Sequence, residues 1–179
     1  RLIKSNWSSL IDESAQNSLK EVMNKIIWSQ HIQSFDPNEW GQLSNFTGLQ
    51  KKIYETNKTN IIEAAEKLQE TIKALQDNFD KLKFEVTNLS LITQLFSTKP
   101  EILVKQANEI IQAYDNELKL KKQIVDGLLS LKYLNSPYEV IVTLTAMWSD
   151  KVYTNDRAIS HFEKLLDFEV QSLKSYMNK

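Results

Sequence analysis

The sequence predicts an all-α protein, organised as an elongated antiparallel coiled coil with a small helical bundle at one end. The first reason is a seven-residue apolar repeat that runs through the middle of the chain. The second reason is that the 179 residues include only three glycines and three prolines, fewer turn residues than strands and tight hairpins usually need. The third reason is that the prolines lie at the junctions between helical patterns.

Five helices are predicted in chain order. They cover about residues 3–33, 47–96, 101–134, 137–149 and 155–176. Pro100 suits the first turn of the third helix, and Ser136 followed by Pro137 predicts an N-cap and first helical position for the fourth. Thr154 or Asn155 is expected to cap the last helix. We therefore expect one helical domain, 1–179, with an N-terminal helix (1–34), a connector (35–46), a long helical hairpin (47–134) and C-terminal helices (135–179).

The connector contains Trp40. An indole in a flexible linker would leave a large apolar surface in water. We therefore expect this loop either to fold back onto the protein or to touch a partner.

The second helix carries the clearest pattern, which we call the seam. Its two interleaved sets are Ile61, Leu68, Leu75, Leu82, Leu89 and Phe96, and Ala65, Ile72, Phe79, Val86 and Thr93. Steps of four and three place the first set at d and the second at a of a heptad. The flanking positions are mostly uncharged, which favours packing against another helix of the same chain or of a different protein over a parallel homodimer. From Phe84 to Phe96 apolar residues cover most of the circumference, and this predicts burial on all sides.

Composition and motifs argue against several classes of function. The formal net charge is −1 and the sequence pI is about 6.2, which gives no long-range attraction for nucleic acid or anionic lipid. Cysteine is absent, so disulfides are excluded, and no apolar run has the length of a transmembrane helix. The only histidines, His31 and His161, lack the spacing of a metal site, and no phosphate loop or nucleophile motif occurs. We expect no catalytic residue, no cofactor, no metal, no membrane contact and no direct nucleic-acid binding.

The last third of the chain carries its most distinctive residues. They run Tyr-Asp-Asn-Glu-Leu-Lys-Leu-Lys-Lys from Tyr114 to Lys122, followed by Met147-Trp148, Tyr153 and Arg157. This arrangement resembles the C-terminal part of the cyclin-dependent kinase 2-interacting protein family, whose members are small helical adaptors. The opening stretch from Asn6 to Ile11, with its Trp and Leu-Ile pair, is similar to that family's N-terminal motif. The chain differs from the family in a shorter Tyr153–Arg157 segment and in an amphipathic extension beyond Leu166.

The resemblance implies a non-enzymatic adaptor or scaffold subunit in the nucleus and cytoplasm. Its implied protein partners are a hexameric AAA+ ATPase, a second small helical subunit and cell-cycle kinases, in a hetero-oligomer rather than a homodimer. The implied processes are maturation of the large ribosomal subunit and DNA replication with its checkpoint. The residues that it marks as partner-interface candidates are Tyr114, Glu117, Lys121, Lys122, Met147, Trp148, Tyr153 and Arg157.

Alternatives remain open for the roles of these residues and for the function. Trp148 is also consistent with a core position, and Lys121 and Lys122 with residues that flank a buried Leu118–Leu120 segment and pair with Glu117 or Asp126. The seam alone is equally typical of a structural subunit in a tether or kinetochore-type assembly. The block formed by Met147, Trp148 and Tyr153 argues against that generic rod.

Overall fold

The computed structural model describes residues 7, 9–11, 14–34, 36–92 and 99–177. Within these ranges the regular secondary structure is helical and contains no strand, which confirms the all-α fold class. The helices are α1 (Ser14–Ser34), α2 (Leu49–Ile92), α3 (Pro100–Leu129), α4 (Tyr138–Ser149) and α5 (Asp156–Met177). A 3-10 segment, Pro37–Asn45, connects α1 to α2 and is kinked at Gly41, whose φ is 51°. Trp7 and residues 9–11 are also helical.

The helix starts follow the predicted capping chemistry in two of three cases. Helix α3 begins at Pro100 as expected. Asn155 caps α5, because its Oδ1 accepts hydrogen bonds from the backbone N–H groups of Arg157 (3.0 Å) and Ala158 (3.2 Å). The prediction for α4 is wrong by one position. Its cap is Pro137, not Ser136, because the Pro137 carbonyl accepts the first helical bonds of that segment.

Helix α3 ends at Leu129, earlier than the predicted residue 134. Leu131 adopts the left-handed conformation, with φ at 55°. The N–H of Lys132 donates to the carbonyl of Gly127 (2.9 Å), and the N–H of Leu131 donates to that of Leu128 (3.0 Å). These two bonds form a Schellman motif, which satisfies the last carbonyls of a helix and turns the chain away. Leu131 occupies the position that usually holds glycine, so the sequence carried no stop signal there.

Gly127 is buried near this end of α3, and a Cβ atom at its position would overlap the ring of Tyr133. The absence of a side chain at Gly127 therefore leaves room for a side chain of the turn that follows the same helix.

The chain divides into two compact units. The first unit consists of Arg1–Ser8, Ala74–Lys119 and Lys151–Lys179, and the second of Ser9–Lys73 and Leu120–Asp150. Both units contain parts of α2 and α3, because each of these long helices runs through both residue sets.

The first unit has an apolar core between the end of α2, the start of α3 and α5. Its members are Leu103, Ala107 and Phe162, with Val86, Leu89, Ile110, Leu165 and Leu166 packed against them. The ring of Trp7 meets that of Tyr114 edge to face, with centroids 4.7 Å apart. Phe84 is 64% exposed, so the predicted burial on all sides is wrong at this residue. Phe96 and Thr93 lie outside the described residues.

The second unit packs α1 against α4 and against the start of α2. The side-chain amide of Gln30 donates to the carbonyls of Leu134 (3.1 Å) and Ser136 (2.7 Å), and the amide of Gln50 donates to the carbonyl of Ile32. The 3-10 segment returns over α1 and α2, and Trp40 lines a groove with residues of both helices. The prediction that the Trp40 loop folds back is confirmed.

The seam is covered within the single chain. The positions from Ile61 to Phe79 in both interleaved sets are at most 8% exposed, and the charged residues of the opposite face are exposed. Leu82, Val86 and Leu89 are half-buried. The heptad therefore marks an intramolecular contact face, as the uncharged flanking positions favoured.

Candidate partner-binding surface

The eight predicted interface residues differ strongly in exposure. Tyr114 (5% exposed), Glu117 (0%), Lys121 (0%) and Trp148 (0%) are buried, and Met147 is half-buried. Lys122, Tyr153 and Arg157 are exposed. The family-like residues therefore fall into a set that packs inside the chain and a smaller set that is accessible to another protein.

In the first unit, Glu117 joins α3 to the segment that precedes α5. Its Oε2 atom accepts a hydrogen bond from the backbone N–H of Tyr153 at 2.9 Å. A fully buried carboxylate costs free energy unless it is bonded in this way. In the segment around Tyr153, the Nζ atom of Lys151 forms an ion pair with Oδ2 of Asp156 at 3.6 Å. The Tyr153 side chain itself is left 47% exposed.

Tyr114 lies in an acidic part of the first unit. Its pKa is raised from the ordinary 10.0 to about 12, mainly by burial and to a smaller extent by the carboxylates of Asp156, Glu163 and Glu117, in that order of size. The phenol is therefore neutral throughout the physiological pH range. Its ring packs on Trp7, which supports a role in the core.

This pKa predicts a loss of stability at alkaline pH. Between pH 10 and 12 the unfolded tyrosine has lost its proton while the folded one keeps it, so the free energy of unfolding falls as pH rises, by about 1.4 kcal/mol per pH unit. Below pH 10 Tyr114 causes no pH dependence. Urea denaturation of wild type and Tyr114→Phe across this range measures the effect, because lysines that titrate in both proteins cancel. Equal slopes for the two proteins would contradict it, and Tyr153→Phe is the matched exposed control.

In the second unit, Lys121 is fully buried and closes the end of α4. Its Nζ donates to the backbone carbonyl of Trp148 at 2.7 Å and lies 5.6 Å from the centre of the indole ring. Trp148 precedes the last residue of α4, where carbonyls lack helical partners and the helix dipole is negative. The ammonium supplies both a donor and a favourable charge. The alternative that Trp148 is a core residue is confirmed by its burial.

The two adjacent lysines allow a matched test of this contact. Lys121→Met keeps the length of the side chain but removes the donor from a buried carbonyl, so we expect unfolding to become easier by about 1–3 kcal/mol. Lys122→Met changes an exposed residue, and we expect an effect within about 0.5 kcal/mol. Thermal and urea unfolding followed by circular dichroism measure both. Equal effects of the two substitutions would contradict the assigned role of Lys121.

An accessible apolar surface in the second unit was missed by the sequence reasoning. We call it the tryptophan groove, an open groove of about 890 Å³ between α1, the 3-10 segment and α2. Its lining consists of Glu21, Asn24, Lys25, Trp28, Ile32, Trp40, Leu43, Ile53 and Asn57. Trp28 is 61% exposed, and Leu43 is 51% exposed. The available signal was the position of Trp28, which lies off the buried stripe of Leu19, Val22 and Ile26 on an amphipathic helix.

The described ranges contain neither a metal-binding cluster nor a membrane-spanning helix. No group of three or more His, Asp or Glu side chains there is arranged to hold a metal ion. His31 and His161 are both exposed. None of the helices α1 to α5 combines the length and apolarity needed to span a bilayer.

Comparisons with known proteins leave the family unassigned. Protein-family models, curated proteins and solved structures give no significant match to this chain. The family resemblance therefore depends on the motif residues between Tyr114 and Arg157 and on the N-terminal stretch from Asn6 to Ile11.

Proposed function

We propose that this chain is a non-enzymatic helical adaptor similar to the cyclin-dependent kinase 2-interacting protein family. It positions protein partners for a hexameric AAA+ ATPase complex that acts in large-ribosomal-subunit maturation and in DNA replication and checkpoint maintenance, in the nucleus and cytoplasm. The observation that carries the proposal is the burial of two charged residues on α3, within the stretch that resembles the family. Glu117 and Lys121 are fully buried, and each is bonded to the backbone of a later segment.

Buried charges are a costly way to join helices. An apolar residue could pack in either position without the desolvation penalty of a charged group. A carboxylate or an ammonium at these positions therefore lowers the stability of the fold unless specific bonds compensate for its lost hydration. In this chain the bonds go to the Tyr153 N–H and to the Trp148 carbonyl, which are both within the residues that match the family. Within each unit, two of the matching residues are thus bonded to each other. These bonds support the proposal more strongly than composition does.

A tether or kinetochore-type rod is the competing function. Such a subunit needs a seam that is available to a second chain. Here the seam positions from Ile61 to Phe79 are at most 8% exposed within one chain. This burial favours the adaptor, whose partners bind other surfaces.

Two surfaces offer the chemistry of partner binding. On the first unit, Tyr153 and Arg157 are exposed residues of the family-like set, and Tyr and Arg are enriched among the residues that dominate interface energies. On the second unit, the tryptophan groove exposes Trp28 and Leu43. Exposed apolar patches of this kind are typical of protein-protein contact sites.

The test is purification of the tagged full-length protein from its native cells, with ATP and with a slowly hydrolysed analogue, followed by mass spectrometry. We expect stoichiometric AAA+ ATPase subunits and one small helical protein. The double substitution Tyr153→Ala with Arg157→Ala should reduce their recovery without loss of helicity, because both side chains are exposed. Lys164→Ala, also exposed on α5, is the control. Recovery of coiled-coil proteins without an ATPase would overturn the proposal in favour of the rod.

A further inference from the structure

We propose that the tryptophan groove binds an extended, non-helical segment of a partner protein that carries a basic and an acidic residue two positions apart. This inference rests on the proposed adaptor function, because it gives one of the adaptor's surfaces a defined kind of partner. Three features of the groove support it: its apolar lining, its carboxamides and the charges on its α1 edge.

The apolar lining provides the attraction. Trp28 and Leu43 expose most or half of their surfaces, while Ile32 is only 3% exposed. Trp40 and Ile53 complete the apolar lining. A volume of about 890 Å³ lies within the range of specific binding pockets. Side chains of a partner segment that enter this space remove the indole faces from water.

The carboxamides decide between an extended and a helical partner. Asn57 is 8% exposed and lines the groove, as does Asn24 from α1. Among the described residues, neither carboxamide has a hydrogen-bond partner. A bound helix satisfies its own backbone and would cover Asn57 with apolar side chains, at a cost of about 1–3 kcal/mol. An extended segment instead presents backbone N–H and C=O groups, and a carboxamide can pair with both.

The charges on the α1 edge give the segment a direction. Glu21 and Lys25 line the groove, and neither forms an ion pair within the described residues. Four residues of helix separate their Cα atoms by about 6 Å along the axis. Two residues of extended chain cover about 6.6–6.8 Å and return to the same side. The groove is therefore matched, in spacing and in sign of charge, by a segment with a Lys or Arg facing Glu21 and an Asp or Glu facing Lys25. This charge complementarity contributes more to the specificity of binding than to its affinity.

The first step of the test selects binders for the purified full-length chain from two displayed libraries. One library holds short linear random peptides, and the other holds randomised faces of a stable helical scaffold. We expect binders from the linear library, with apolar residues beside a Lys/Arg-x-Asp/Glu pattern and a Kd below about 0.1 mM. Fluorescence polarisation of a labelled linear binder then measures the variants.

Asn57→Leu is the decisive substitution. An extended occupant loses its backbone partner, so we expect binding to weaken at least about tenfold, whereas an apolar helix would bind the leucine more tightly. Trp28→Ala should weaken binding to a similar extent. Because Trp28 is 61% exposed, this substitution is expected to leave the fold intact, so the weaker binding would result from the lost contact. Exchange of charges by Glu21→Lys with Lys25→Glu should transfer the preference to a peptide whose charges are exchanged. Phe84→Ala, in the first unit and 64% exposed, should bind as wild type.

Three results would overturn the inference: binders from the helical library alone, no binder from either library, or linear binders that are unaffected by Asn57→Leu. The purification described above separates this failure from that of the adaptor function. Recovery of the ATPase complex with an inert groove rejects only the groove assignment. Peptide binding at the groove without any ATPase rejects the adaptor function and leaves the groove as a peptide-binding site.

Discussion

Replacement of Trp148 by alanine is expected to lower the free energy of unfolding by about 3–5 kcal/mol. The Trp148 side chain is 0% exposed, and the buried ammonium of Lys121 lies 5.6 Å from its ring. Removal of the indole leaves a cavity that the surrounding helices fill only in part, and it exposes part of the Lys121 site. Urea unfolding followed by circular dichroism gives the change directly. Whole domains are stable by about 5–15 kcal/mol, so a loss of this size removes a large fraction of the stability of a domain at the low end of that range.

The chain offers a matched control in Trp28, which is 61% exposed. Trp28→Ala removes the same atoms from a site in contact with water, and we expect its cost to stay within about 0.5 kcal/mol. A small effect of Trp148→Ala, similar to that of the control, would contradict the core assignment. If such a stable variant also lost its partners, Trp148 would instead be an interface anchor.

Leu75→Asp is expected to have the largest effect among single substitutions in the seam. Because Leu75 is 0% exposed, an aspartate at this position would place an unpaired negative charge in the core. The loss of apolar contact alone costs about 2–5 kcal/mol, and desolvation of the carboxylate adds to it. We expect loss of the cooperative thermal transition and a large fall in helicity at neutral pH.

Substitutions at two other positions of α2 serve as comparisons for Leu75→Asp. Leu82 belongs to the same heptad set but is half-buried, so Leu82→Asp should destabilise the protein measurably less. Gln76 is exposed, and Gln76→Asp should leave helicity almost unchanged. Full helicity of Leu75→Asp would show that this seam position is not required for the fold.

The seam shows what the sequence predicts well. A buried helix face repeats with the helical period, so Ile61, Leu68 and Leu75 reveal a contact face without any knowledge of what covers it. Capping signals were also informative, because they depend on local backbone chemistry: they placed Pro100 in the first turn of α3 and limited the cap of α5 to Thr154 or Asn155, of which Asn155 is the cap.

Features that depend on distant parts of the chain were not predictable in this way. Glu117 and Lys121 are residue types usual on a solvated helix face, and their burial is compensated by bonds to the Tyr153 N–H and the Trp148 carbonyl, which come from later segments of the chain. The end of α3 was missed because Leu131 takes a conformation that usually requires glycine.

The tryptophan groove was missed for a related reason. It exists because the 3-10 segment, kinked at Gly41, returns over α1 and α2. Its path is a tertiary property with no periodic pattern to reveal it. Trp40 indicated that the loop folds back, but the surface that it would help to form could not be derived from its position alone.

The burial of Lys121 beside the exposed Lys122 has a chemical consequence. Acetylating enzymes, ubiquitin ligases and amine-reactive cross-linkers act on an ammonium that they can reach, so the folded chain offers them residue 122 and withholds residue 121. A modification at Lys121 therefore reports that the end of α4 has opened. Two successive lysines thus record different events: one is labelled on the native protein, and the other is labelled only in molecules that have left the native state.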